Sequence, residues 1–226
     1  DSLDKTNQNS ASAILKVLEE PPAQTIFFLI SHNISTVIPT IRSRCQQIKL
    51  APVTNWDAHL ILKEHIHNLN DDELGRLISL CGGSPGMALL ISSSGISLFI
   101  EKFKSLLEAK TPQLESILSL ASSWGRELSK NPELGVATIF IFSKLFSQAA
   151  LLSIQAHKNY INNEGSVTSS LSKIAVILSE TYTANELANL YIEWQKEFRE
   201  AQNSFLDMGI FMQQSIYEIY SQTRSR

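Results

Sequence analysis

Ser12-Ala13-Ile14-Leu15-Lys16-Val17-Leu18-Glu19-Glu20-Pro21-Pro22, followed closely by Thr25-Ile26-Phe27-Phe28-Leu29-Ile30, decides how the chain begins. Ala11, Ile14, Leu15 and Leu18 recur at i, i+3, i+4 and i+7 and so share one face of a helix. Pro21-Pro22 ends that helix, because proline lacks the amide donor and restricts the residue before it. Residues 25–30 are continuously apolar, β-branched and aromatic, the pattern of a strand buried on both faces of a parallel sheet. A second short strand is predicted at Gln47-Ile48-Lys49-Leu50. A helix flanked by strands implies α/β layering, of which residues 1–50 hold only a part.

From Pro52 onward the pattern turns helical. Thr54 is a predicted cap for a helix carrying Trp56, Leu60 and Ile66. Asn70 with Glu73 forms a capping box ahead of Leu74, Leu77, Ile78 and Cys81. Gly82-Gly83-Ser84-Pro85 breaks the chain, and Pro85 suits the first position of a third helix. Residues 51–94 therefore read as a small three-helix unit. Longer helices are predicted over residues 95–226. Thr111-Pro112 and Asn131-Pro132 each pair an N-cap with proline at the first helical position. The helix after Pro132 is apolar nearly all round and belongs at the centre of a bundle. Lys158 to Ser170 is polar and reads as a loop. Thr183 and Glu186 form another capping box, with Leu187, Leu190, Tyr191, Trp194 and Phe198 behind it as a core stripe. A final helix is predicted from Phe205 to Tyr220. The fold class is mainly α.

Composition narrows the function. The chain of 226 residues is 43% hydrophobic, 18% charged and carries a formal charge of -3. That describes an ordered, helix-rich globule and argues against a phosphate-coating nucleic-acid binder, which would be basic overall. Lys102, Lys104 and Lys110 have no aromatic platform for stacking single-stranded bases. Cys45 and Cys81 are the two cysteines; they lack metal-type spacing and fit a reducing cytoplasm. His65 and His67, two apart on a helix, would face different directions, so no metal site is read there. The richest apolar run, Val136 to Phe142, is well short of the ~20 residues a membrane span needs. No signal-peptide pattern is present at Asp1-Ser2-Leu3-Asp4, and this abrupt opening reads as a cut inside a larger protein.

The helix at residues 12–22 resembles the "NALLKxLEEPP" helix of AAA+ clamp-loader ATPases. Some twenty residues later, Pro39-Thr40-Ile41-Arg42-Ser43-Arg44-Cys45 resembles the Ser-Arg-Cys motif of the same family. The two runs, with the apolar segment between them, form a specific signal over residues 1–50 and a fair one over the three-helix unit. Past Gly95 the resemblance rests on helical character and position alone. It implies the end of an AAA+ α/β core (residues 1–50), a three-helix lid (51–94) and a helical collar for oligomerisation (95–226). By the same comparison the P-loop and most of the sheet would precede Asp1.

The resemblance also assigns roles. In that family the arginine of Ser-Arg-Cys reaches nucleotide on the neighbouring subunit, which casts Arg44 as an arginine finger acting in trans. A permanently charged planar fork on phosphate oxygens stabilises the transition state. The competing reading is a surface arginine, or one paired with Glu19 or Glu20 for structure. Arg42 reads as a solvated neighbour, and Ser43 and Cys45 as residues that shape the turn. Glu19-Glu20, adjacent before Pro-Pro, read as a solvated turn rather than a catalytic pair. Asp1-Ser2 stand where the family carries the Asp-Glu of its Walker B strand. Asp1 matches the magnesium-linked aspartate, while Ser2 replaces the glutamate that orients water, and serine is no effective base near neutral pH. His32 matches the sensor-1 position, although a histidine at a strand end is more commonly satisfied by backbone. Gly83-Ser84-Pro85-Gly86-Met87-Ala88-Leu89 resembles the sensor-2 stretch, but Gly86 and Met87 replace its arginine. These departures imply a poor ATPase that binds no cofactor itself and serves ATP held by a neighbour.

The implied setting is a cytoplasmic clamp loader of bacterial DNA polymerase III. Its partners would be gamma/tau ATPase subunits and the delta subunit, and indirectly the sliding clamp and primed DNA during replication. A gamma/tau-type ATPase is the rival within the family. A helical scaffold with no replication role and a direct DNA-binding module are the rivals outside it.

Overall fold

The computed structural model describes residues 3, 8–31, 33–109, 114–154, 167–204 and 207–225. Asp1, Ser2, His32, Thr111-Pro112, Phe205 and most of the loop expected from Lys158 lie outside them. The chain divides into two compact units, Asp1–Ala51 and Pro52–Arg226.

In the first unit, α1 (Gln8–Glu19) turns Ala11 fully inward, with Ile14, Leu15 and Leu18 packed beside it against Val37 and Ile41. The expected apolar face is the buried one. The two predicted strands are not formed. Residues 25–30 and 47–50 pair in no ladder and most of their side chains are exposed, Ile26 at 78% and Phe28 at 85%, while Leu29 packs on the Ala11–Val37–Ile41 cluster. The physical reason is that a strand needs a neighbour for its backbone groups, and the described residues supply none beyond one bond from the Leu3 amide to the Ile30 carbonyl. A 3-10 turn (Ile34–Thr36) is capped by Asn33, whose side chain accepts from the Ser35 amide, and leads to the one-turn helix α2 (Pro39–Arg42).

The second unit is wholly helical among its described residues. It contains α3 (Asn55–Lys63), α4 (Asp71–Leu80), α5 (Pro85–Ser93), α6 (Ile96–Glu108), α7 (Leu114–Lys130), α8 (Pro132–Ile154), α9 (Val167–Thr181), α10 (Ala184–Asn203) and α11 (Met208–Ser225). Local chemistry sets its boundaries. Thr54 accepts from the Asp57 amide at 3.1 Å. Both capping boxes, Asn70–Glu73 and Thr183–Glu186, are closed in both directions. Gly82 and Gly83 carry φ of 60° and 75°, and a Cβ on Gly83 would meet the Val53 carbonyl at 2.8 Å, so only glycine fits that turn. Asn131 accepts from the amides of Glu133 and Leu134 and so starts α8.

Five further expectations are corrected. α3 buries Ala58 and Leu62, not Trp56 and Leu60; Trp56 is 71% exposed and Ile66 is buried beyond the helix end. A nine-residue helix has room for one narrow inward face, and here the small alanine allows the closer approach. Because α3 stops at Lys63, His65 and His67 follow the helix instead of riding on it. Residues 167–170, expected to be loop, open α9, and the last helix runs on to Ser225. Finally, α8 is a single helix of 23 residues, long and apolar enough to cross a bilayer by length and composition. Here it packs as the central rod, burying Leu134, Ala137, Ile141, Phe142, Leu145, Phe146, Ala149 and Leu152.

One contiguous core runs from Ala58 to Ile219. Aromatic rings join its helices. Phe99 of α6 stacks on Trp124 of α7 at 5.2 Å, Trp124 meets Phe142 of α8 edge-on, and Phe142 stacks on Trp194 of α10 at 4.5 Å. Trp194 in turn contacts Phe198 and Phe211. Each such pair contributes about 0.5–1.5 kcal/mol beyond the area it buries, so the Trp194 stripe is core.

Candidate functional site

The Ser-Arg-Cys turn is built on α2. Ile41 points inward against Ala11 and Val37 and fixes the short helix to the unit. A helix end leaves carbonyls without intrahelical partners, and here two side chains collect on one of them. Ser43 Oγ donates to the Thr40 carbonyl at 3.0 Å, and Arg44 Nη1 donates to the same oxygen at 3.0 Å. Cys45 is half-buried and packs toward the Ile41 cluster, so both motif neighbours shape the turn.

The guanidinium of Arg44 has two further contacts, a long one from Nη1 to Ser43 Oγ at 3.5 Å and an ion pair. Its Nη2 meets Glu19 Oε1 at 2.7 Å, with the Arg44 side chain 38% and the Glu19 side chain 51% exposed. Glu19 is the last residue of α1, immediately before Glu20 and the two prolines, so helix, turn and ion pair are set by adjacent pieces of sequence. The pair is the structural role that competes with the finger for Arg44, and it corrects the expectation that Glu19 is merely solvated. An exposed pair of this kind contributes only about 0–1 kcal/mol. Arg44 therefore stands at the surface of its unit, held lightly.

The other candidate positions fall differently. Asp1, Ser2 and His32 lie outside the described residues. Gly86 and Met87 sit in the first turn of α5, in the second unit. Ser84 Oγ accepts from the Met87 amide and caps the helix. Open space surrounds Gly86, while the Met87 side chain leans on the core. Neither carries charge.

One feature has no forerunner in the motifs. A cleft of about 950 Å³ in the second unit is lined by Trp56, His59, Asp71, Arg76, Gln148 and Ser172, among others. Asp71 accepts from Lys63 Nζ at 3.0 Å and lies 3.6 Å from His59 Nε2. The hydrogen bond from Lys63, then its charge, hold the Asp71 carboxyl below its ordinary value. Among the described residues no three His, Cys, Asp or Glu side chains are grouped to hold a metal ion.

Residues 1–54 match the family model described as DNA polymerase III, delta subunit. The chain is 37% identical over 123 residues to the DNA polymerase III subunit delta' of Pseudomonas aeruginosa, a match covering 52% of this chain and 36% of that protein. It is 40% identical over 82 residues to the Escherichia coli subunit delta', covering 36% and 24% respectively. Over these stretches its sequence is similar to subunits delta'. Over 94 residues it is also 33% identical to the DNA polymerase III subunit gamma of Buchnera aphidicola, covering 39% of this chain and 26% of that one. The chain thus spans about a third or less of the curated relatives it matches. Glu19, Ser43, Arg44 and Cys45 all fall inside residues 1–54, the stretch matched by that family model.

Proposed function

We propose that this chain belongs to a non-hydrolysing, delta-prime-like subunit of the DNA polymerase III clamp loader, and that Arg44 acts in trans as its arginine finger. One observation carries the reading. In the segment matched by the family model, the turn after α2 presents a guanidinium at the surface, anchored by a backbone carbonyl and one weak ion pair. A guanidinium buried in a closed network could not serve another polypeptide; this one can. Its fork offers five N–H donors to phosphate oxygens and keeps its charge at any working pH.

In this reading residues 51–94 act as the lid and residues 95–226 as the collar that binds gamma/tau and delta subunits in the cytoplasm. The assembly places the sliding clamp on primed DNA. ATP is held by the neighbour, because Ser2, Gly86 and Met87 leave this chain without the base and the arginine that hydrolysis needs. The test is Arg44→Ala in the full-length subunit, assembled with ATPase partners of which only the one facing Arg44 can hydrolyse. DNA-stimulated turnover should fall by about a thousandfold or more; turnover equal to wild type would refute the role.

The similarity to a gamma subunit supports a second reading, a subunit that hydrolyses ATP itself. It requires the isolated full-length protein to bind and turn over ATP, which a filter-binding and phosphate-release assay decides.

A further inference from the structure

Resting on the reading of Arg44 as a trans-acting finger, we infer that Glu19 is its resting partner: a carboxylate that holds the guanidinium until phosphate oxygens of a neighbour's nucleotide replace it. Both η nitrogens of Arg44 have acceptors within the chain, Nη1 the Thr40 carbonyl and Nη2 the Glu19 carboxylate. A two-pronged grip on phosphate uses two neighbouring N–H groups aimed the same way, and the Glu19 carboxylate, a charged acceptor on Nη2, competes with phosphate for that fork.

The two acceptors are not equivalent. The Thr40 oxygen is backbone, fixed in α2 by Pro39 and the buried Ile41. The Glu19 oxygen ends a flexible side chain at the last residue of α1, and more than half of that side chain is open to solvent. The carbonyl is therefore the pivot and the carboxylate the part that lets go. A polyphosphate also outweighs a single carboxylate in charge, and more so once an interface excludes water. Glu19 is thus a positioning residue whose grip slows engagement of the finger by a small factor, set by the strength of a half-exposed pair.

The experiment is Glu19→Gln in the full-length subunit, alone and combined with Arg44→Ala, in the assembled loader with one competent ATPase site. Glutamine keeps the shape and removes the charge. The single variant should raise DNA-stimulated turnover by about twofold to fivefold, and the same change in the Arg44→Ala background should do nothing. If Arg44→Ala impairs turnover but Glu19→Gln leaves it equal or slower, the resting-partner role is overturned and the finger stands. A rise that persists without Arg44 also overturns it. If Arg44→Ala has no effect, the finger falls first and this role falls with it. Circular dichroism of each variant separates loss of folding from loss of function.

Discussion

Gly125 of α7 and Gly209 of α11 meet backbone to backbone: a Cβ on Gly125 would lie 2.3 Å from the Gly209 Cα. No side-chain rotation relieves such a clash, because the obstacle is main chain. Gly125→Ala must push the two helices apart, and forced packing of this kind costs roughly 1–3 kcal/mol. That exceeds the ~1 kcal/mol by which alanine favours a helix over glycine. Gly75 of α4 is the control, since nothing lies within 4 Å of its added Cβ. Urea titration should give a lower midpoint for Gly125→Ala and an equal or higher one for Gly75→Ala. Equal midpoints for wild type and Gly125→Ala would show that the helices do not approach this closely.

Glu101 of α6 is tied to α9 by a hydrogen bond from Ser170 and the charge of Lys173, and this has a pH signature. Burial pushes its carboxyl pKa up, but hydrogen bonds from Ser170 and Lys104 and the charges of Lys104 and Lys173 outweigh burial and hold it below the ordinary glutamate value. A folded-state pKa that is depressed contributes stability above the unfolded pKa, and that contribution is lost as pH falls through the folded one. The window therefore lies at and below the ordinary carboxylate range near pH 4. Ser170→Ala removes the first of the opposing hydrogen bonds. The Glu101 carboxyl, followed by carbon NMR, should titrate at higher pH in the variant, and the variant should lose less stability between pH 7 and pH 3. An unmoved titration would mean the Ser170 hydroxyl does not serve Glu101.

What the sequence disclosed follows range of interaction. The caps at Thr54, Asn70, Asn131 and Thr183 are readable because each is satisfied within three residues of itself. The α8 core is readable because the helix is apolar nearly all round, and the Trp194 stripe because its helical period is sustained over several turns. The face of α3 was misread, since apolar residues lie on several sides of nine positions and only tertiary packing selects Ala58 and Leu62. The Gly125–Gly209 approach left no local trace, and neither did the cleft around Asp71, whose walls come from α3, α4, α8 and α9. The Arg44–Glu19 pair is legible as the structural alternative to a finger; the shared Thr40 carbonyl is not, because it depends on how α2 ends.

The unpaired segment at residues 25–30 leads to a prediction about solution behaviour. Ile26, Phe28 and Ile30 occupy alternate positions, all are exposed, and the segment joins no ladder. Apolar side chains beside unpaired strand groups are a template for pairing with another chain. Replacing an exposed phenylalanine removes no core contact, so Phe28→Lys should change the unfolding midpoint little, within about 0.5 kcal/mol. It should nevertheless reduce self-association, because a lysine here adds charge where chains would meet. Sedimentation velocity over a concentration series is the measurement. The wild-type 226-residue chain should show species larger than a monomer as concentration rises, and Phe28→Lys should show fewer at each step. Matching profiles would place any association elsewhere. A large drop in the variant's own stability would mean instead that Phe28 is buried in the working fold of this chain.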